Sequence, residues 1–110
     1  MDVELRYIAA CPSLTVIRQR LALALDAVGH CNTDVRLRLV RTAEEAQHLG
    51  FVGSPTVLVD GIDPFPESAA AVGLSCRLYR DGATVSGSPS VEQLTAALAE
   101  RLRARQEPSI

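Results

Sequence analysis

Three cysteines are the residues of this 110-residue chain most able to do chemistry: Cys11, Cys31 and Cys76. A thiolate is a nucleophile and a soft-metal ligand, so each is judged by what would favour ionisation and access. Cys11 stands in Cys11-Pro12-Ser13-Leu14, between a strand pattern and a helix pattern. The expected N-cap of that helix is Cys11, where unpaired N–H groups and the helix dipole would favour a thiolate. Cys76 opens an expected strand directly after a long loop. It is a candidate resolving thiol or second soft ligand for Cys11. Cys31 follows Gly29 and His30 in an expected loop and reads as an incidental thiol. There is no C-x-x-C pair and no Cys/His spacing of the zinc-finger kind. Glu44 and Glu45 read as solvated acids of a first helical turn, and His30 and His48 have no evident partner.

The odd cysteine number and the missing basic-then-apolar leader pattern argue against a disulfide framework, and a reducing cytosol is the expected compartment. A formal net charge of −2 gives no reason to expect capture of nucleic acid. No apolar run approaches the roughly 20 residues of a membrane span. The 47% apolar content is that of an ordinary globular chain, and the length suits one domain over 1–110 with a frayed tail from about 104.

The elements that must position these residues follow from periodicity. Val3, Leu5 and Tyr7 alternate with Glu4 and Arg6, which predicts a strand over 3–9. Leu14, Ile17, Leu21, Leu25 and Val28 recur every three or four residues, which predicts a helix with Pro12 in its first position and Gly29 as its stop. Val35, Leu37 and Leu39 give a second strand. Thr42 and Glu45 form a capping box for a short helix ending at Gly50. Thr56–Val59 is a buried-strand pattern closed by the Asp60-Gly61 turn. Residues 61–74 form a long connection, in which Phe65 is either an exposed contact or a lid over the core. Cys76–Tyr79 predicts a fourth strand, expected to form an antiparallel hairpin with the third, and residues 83–86 extend it or pair with it. Ser88 and Pro89 open a last helix with Val91, Leu94, Leu98 and Leu102 on its buried face.

This β-α-β-α-β-β-α order, with Cys11-Pro12-Ser13-Leu14 after the first strand and Gly53-Ser54-Pro55-Thr56-Val57 before the third, resembles the thioredoxin-like superfamily. The resemblance is to its small bacterial members with a C-P-x-x loop, some of them labelled alkylmercury lyase-like. It implies an α/β fold with a single four- to five-stranded mixed sheet flanked by helices. It implies that Cys11 is the active-site cysteine and that the Ser54–Pro55 bond is cis. The backbone there would face Cys11 and pair with bound substrate. Pro12, Ser13, Ser54, Pro55 and Thr56 are then the expected substrate-binding residues. Leu14 stands where a dithiol member has its second cysteine, so the implied chemistry is monothiol. The expected function is thiol–disulfide exchange by Cys11 with a protein or small-molecule partner, without a cofactor. The alternatives are an Hg(II)- or Cu(I)-binding module using Cys11 and Cys76, and a non-catalytic interaction domain. The oligomeric state stays open.

Overall fold

In the computed structural model, residues 1–106 are described. The chain is mixed α/β. Strand β1 (Val3–Tyr7) leads to helix α1 (Leu14–Ala27), strand β2 (Val35–Leu39), helix α2 (Ala43–Leu49) and strand β3 (Thr56–Val59). A 3-10 turn at Pro66–Ser68 interrupts the long connection. Strands β4 (Tyr79–Asp81) and β5 (Thr84–Ser86) and helix α3 (Val91–Gln106) follow.

The alternating pattern of the first strand places it in the centre of a three-stranded sheet of order β2-β1-β3. β1 runs parallel to β2, with Val3 opposite Val35, and antiparallel to β3, with Leu5 opposite Val57. Val3, Leu5, Val57 and Val59 point to the face covered by α1 and α3. There they meet Ile17, Leu21, Ala24, Leu25, Leu94 and Leu98. Burying a side chain of this size contributes about 1.5–3 kcal/mol, so this layer fixes the sheet's register. α2 closes a smaller cluster of Val40, Ala46 and Phe51.

Several expectations are corrected. The sheet is not a single one of four or five strands. β4 and β5 form a separate antiparallel ribbon, Tyr79 opposite Ser86, around the Gly82 turn. The third and fourth strands make no hairpin with each other. Residues 75–77 instead cross the chain just ahead of β3, where Ser54 and Cys76 make one isolated parallel bridge. The physical reason lies in Arg77, whose guanidinium bonds to Asp63, Phe65 and Ser68 of the loop above it and so holds residues 75–77 against Ser54, ahead of β3, instead of along β3 itself. The first strand ends at Tyr7, not residue 9. Ser13 is the N-cap of α1, so neither Cys11 nor Pro12 holds the place expected of it. Ser90, not Ser88, opens α3. Its Oγ accepts the Gln93 N–H while Gln93 Oε1 accepts the Ser90 N–H, a reciprocal cap that satisfies both groups. α3 is described through Gln106, and the rest of the tail expected to fray from about 104 lies outside the described residues. The α2 cap is as expected: Thr42 Oγ1 accepts the Glu45 N–H at 3.1 Å, and Gly50 closes the helix in the left-handed region. No described helix is long and apolar enough to cross a membrane.

Candidate functional site

Parallel pairing of β1 with β2 and antiparallel pairing with β3 put the end of β1 and the start of β3 at the same end of the sheet. The turn after β1 carries Cys11, and the turn before β3 carries Ser54 and Pro55. Cys31 precedes β2 and therefore lies at the opposite end. It is exposed, with its Sγ 3.9 Å from Asn32 Oδ1.

Cys11 is half-buried. Its N–H donates to the Ile8 carbonyl at 3.3 Å, and its carbonyl accepts the Leu14 N–H at 3.4 Å. Ala10 reverses the chain ahead of it at φ 58°. The Ile8 N–H in turn donates to Ser54 Oγ at 3.0 Å. Ser54 is 2% exposed and its backbone is fully used: its N–H donates to Ser75 O at 2.8 Å, and its carbonyl accepts the Arg77 N–H at 2.9 Å. The exposed Cys76 stands between those two partners. Two hydrogen bonds through Ile8 thus connect the Cys11 turn to Ser54, and Ser54 holds the backbone on either side of Cys76. A hairpin would have carried Cys76 away from this end.

The Ser54–Pro55 bond is cis. The Pro55 carbonyl accepts the Tyr79 hydroxyl. Tyr79 is 2% exposed and meets Phe65 edge-on with centroids 5.7 Å apart, so Phe65 is the lid and not an exposed contact. Burial, above all, holds the Tyr79 phenol above its ordinary value. Arg77 opposes that rise, while Asp63 and Cys11 are close enough to add to it. Thr56 Oγ1 donates to Gly53 O at 2.6 Å and accepts from Arg77 at 3.0 Å, so that hydroxyl is committed internally. Ser13 is packed against Gly87, where an added Cβ would meet its Oγ at 2.0 Å, and Pro12 is exposed. Of the expected substrate-binding residues, Ser54 is joined to the Cys11 turn through Ile8, Pro55 is held by Tyr79, and Thr56 serves the Arg77 network.

That network escaped the sequence reading. The Arg77 side chain is fully buried. Its guanidinium donates to Asp63 at 2.9 Å, Phe65 O at 2.6 Å, Ser68 Oγ at 3.0 Å and Thr56 Oγ1. Its Cζ lies 4.9 Å from the Tyr79 ring centroid, a cation–π distance. Gly53, at φ +113°, lets this residue in: a Cβ there would lie 2.7 Å from Arg77 Cβ. The available signal was alternation. Arg77 and Tyr79 share the inner face of the segment, Cys76 and Leu78 the outer, and a buried arginine calls for a carboxylate such as Asp63.

Among the described residues no group of three or more His, Cys, Asp or Glu converges as a metal site. No family model, curated protein or solved structure matches the chain.

Proposed function

We propose that this chain is a monothiol redox protein of thioredoxin-like fold, with Cys11 as its nucleophile. One observation carries the reading: the backbones that carry a half-buried thiol, Cys11, and an exposed thiol, Cys76, are both tied to the Ser54 turn, one through Ile8 and one through the backbone bonds of Ser75 and Arg77. The resemblance of the Cys11 and Ser54–Pro55 segments to the thioredoxin-like superfamily supports it.

In this reading the Cys11 thiolate attacks one sulfur of a disulfide in line with the S–S bond. The Cys11–substrate disulfide forms, the original S–S bond breaks, and the departing thiolate takes a proton from water. A second thiol, from glutathione, another protein or Cys76, then attacks the mixed disulfide. If Cys76 attacks the Cys11 sulfur, the substrate thiol leaves and a Cys11–Cys76 disulfide remains, to be reduced by an external thiol. Tyr79 keeps its proton near neutral pH and holds the Pro55 carbonyl through its hydroxyl.

The test is thiol titration with a model disulfide on the native chain, Cys11→Ser and Cys76→Ser. Loss of Cys11 should abolish the mixed disulfide. Loss of Cys76 should let it accumulate if Cys76 resolves it. A mixed disulfide that forms equally well without Cys11 would defeat the assignment.

A further inference from the structure

A peptide laid beside the Cys11 turn must find partners for its own N–H and C=O groups, because a peptide group that loses water unpaired costs free energy. At this end of the sheet Ser54 presents one N–H and one C=O, immediately ahead of β3. Both are already taken by the chain's own residues 75 and 77. The same segment is fastened upstream, where the Ala70 N–H donates to Val52 O at 2.9 Å and the Gly73 N–H to Phe51 O at 3.2 Å. Residues 70–77 therefore lie along residues 51–54 and use the backbone groups an added strand would use. The segment is held from one side only. Arg77 anchors it inward, while Leu74, Cys76 and Leu78 are exposed.

We propose that residues 70–77 are a built-in strap that gives the Cys11 site a small-molecule disulfide as its substrate class and excludes peptide and protein disulfides unless the strap lifts. This rests on the redox reading above. A peptide disulfide has to displace Ser75 and Arg77 from Ser54 before its backbone can settle. A small disulfide, R–S–S–R, needs only the Cys11 sulfur. Cys11 forms Cys11–S–S–R, the reagent's S–S bond breaks, and RSH leaves after taking a proton from water. A second small thiol, R′SH, attacks the sulfur of R, which releases R–S–S–R′ and returns the Cys11 thiol.

The experiment uses a full-length Cys31→Ser, Cys76→Ser chain, in which Cys11 is the only thiol. One probe is bis(2-hydroxyethyl) disulfide. The other is the mixed disulfide of 2-mercaptoethanol with a short peptide carrying a central cysteine. Adduct formation is followed by mass spectrometry, and each rate is divided by the rate of the same chain in denaturant. The normalised small-probe rate should exceed the peptide rate about tenfold, the scale of one or two net hydrogen bonds that must be given up. Asp63→Asn weakens the Arg77 anchor and should raise the peptide rate several-fold while leaving the small-probe rate unchanged. Ser68→Ala is the milder second variant, should Asp63→Asn fail to fold. Equal normalised rates, or a peptide rate that a folded anchor variant does not move, would overturn the strap and leave the redox reading standing. Absence of a Cys11 adduct with either probe would overturn the redox reading and the strap with it.

Discussion

The two ends of the central sheet carry the same kinds of residue and treat them differently. At one end Cys11 and Cys76 flank a turn where Ser54 bonds to two other segments, at Ile8 and at residues 75 and 77, and the Arg77–Asp63 pair is sunk beneath a loop. At the other end Cys31 is exposed beside Asn32, and the ion pairs are exposed or partly so: Arg36 with Asp2 at 2.8 Å and Arg101 with Asp60 at 2.9 Å. The distances are nearly the same as for Arg77–Asp63. Solvent differs, and with it the cost of removing a partner. An exposed pair is screened and contributes little, whereas a buried charge left alone is severely penalised.

Removing the anchor should have the largest effect. Arg77→Ala leaves Asp63, Thr56 and the Phe65 carbonyl without their partner, and urea unfolding should show a loss of about 3–5 kcal/mol. Arg36→Ala at the other end should leave the unfolding midpoint within error. If the two variants were alike, the contrast between the ends would be gone. Next in size, Gly53→Ala forces a side chain into a left-handed position and against Arg77 Cβ, and should cost about 2 kcal/mol or more. Gly29→Ala at the far end has φ +79° but open space around it, and should cost about 1 kcal/mol from backbone strain alone.

Most of the scaffold was legible because it rests on local signals. The alternation of Val3, Leu5 and Tyr7, the three-and-four spacing of α1 and the Thr42–Glu45 cap each act within a few residues, and each element formed. The parallel pairing of the first two strands followed from short connections. The strap was not legible, because its path is decided by a contact distant in sequence. Arg77 has to find Asp63, and only the folded chain shows that this draws residues 75–77 onto Ser54. Asp63 in the sequence looks like one more loop acid. The N-caps differ because Cys11-Pro12-Ser13 and Ser88-Pro89-Ser90 each offer more than one start, and in both the helix begins after the last residue, a serine.

Two smaller effects sharpen the comparison by pH. The Tyr79 phenol lies above its ordinary value of 10.0, mainly through burial. Its contribution to stability is therefore complete below about pH 10 and lost as pH rises beyond it. Tyr79→Phe should cost about 1 kcal/mol near neutral pH by freeing the Pro55 carbonyl, and should flatten the alkaline fall in stability. At the far end the Asp60 carboxyl lies below its ordinary value of 3.8, first because it accepts the Asp2 N–H, with Arg101 and Arg105 adding to the effect. A depressed carboxyl stabilises above its unfolded value and loses that contribution as pH falls, so Asp60→Asn should slightly reduce the acid slope below about pH 4. Denaturant unfolding across pH reads both. An Asp60 effect larger than the Tyr79 effect would reverse the ranking of the two ends.

The most direct measurement of the central claim is a competition between Cys11 and Cys31 in one native chain. The Cys76→Ser protein is exposed to a limiting amount of bis(2-hydroxyethyl) disulfide, quenched, digested and analysed for the modified cysteine, then the same is done in denaturant. Accessibility alone favours Cys31, the more exposed thiol. The account predicts that Cys11 carries most of the adduct in the native chain and that the preference disappears on unfolding. Adduct mainly on Cys31 in the native chain, or the same distribution before and after unfolding, would contradict it.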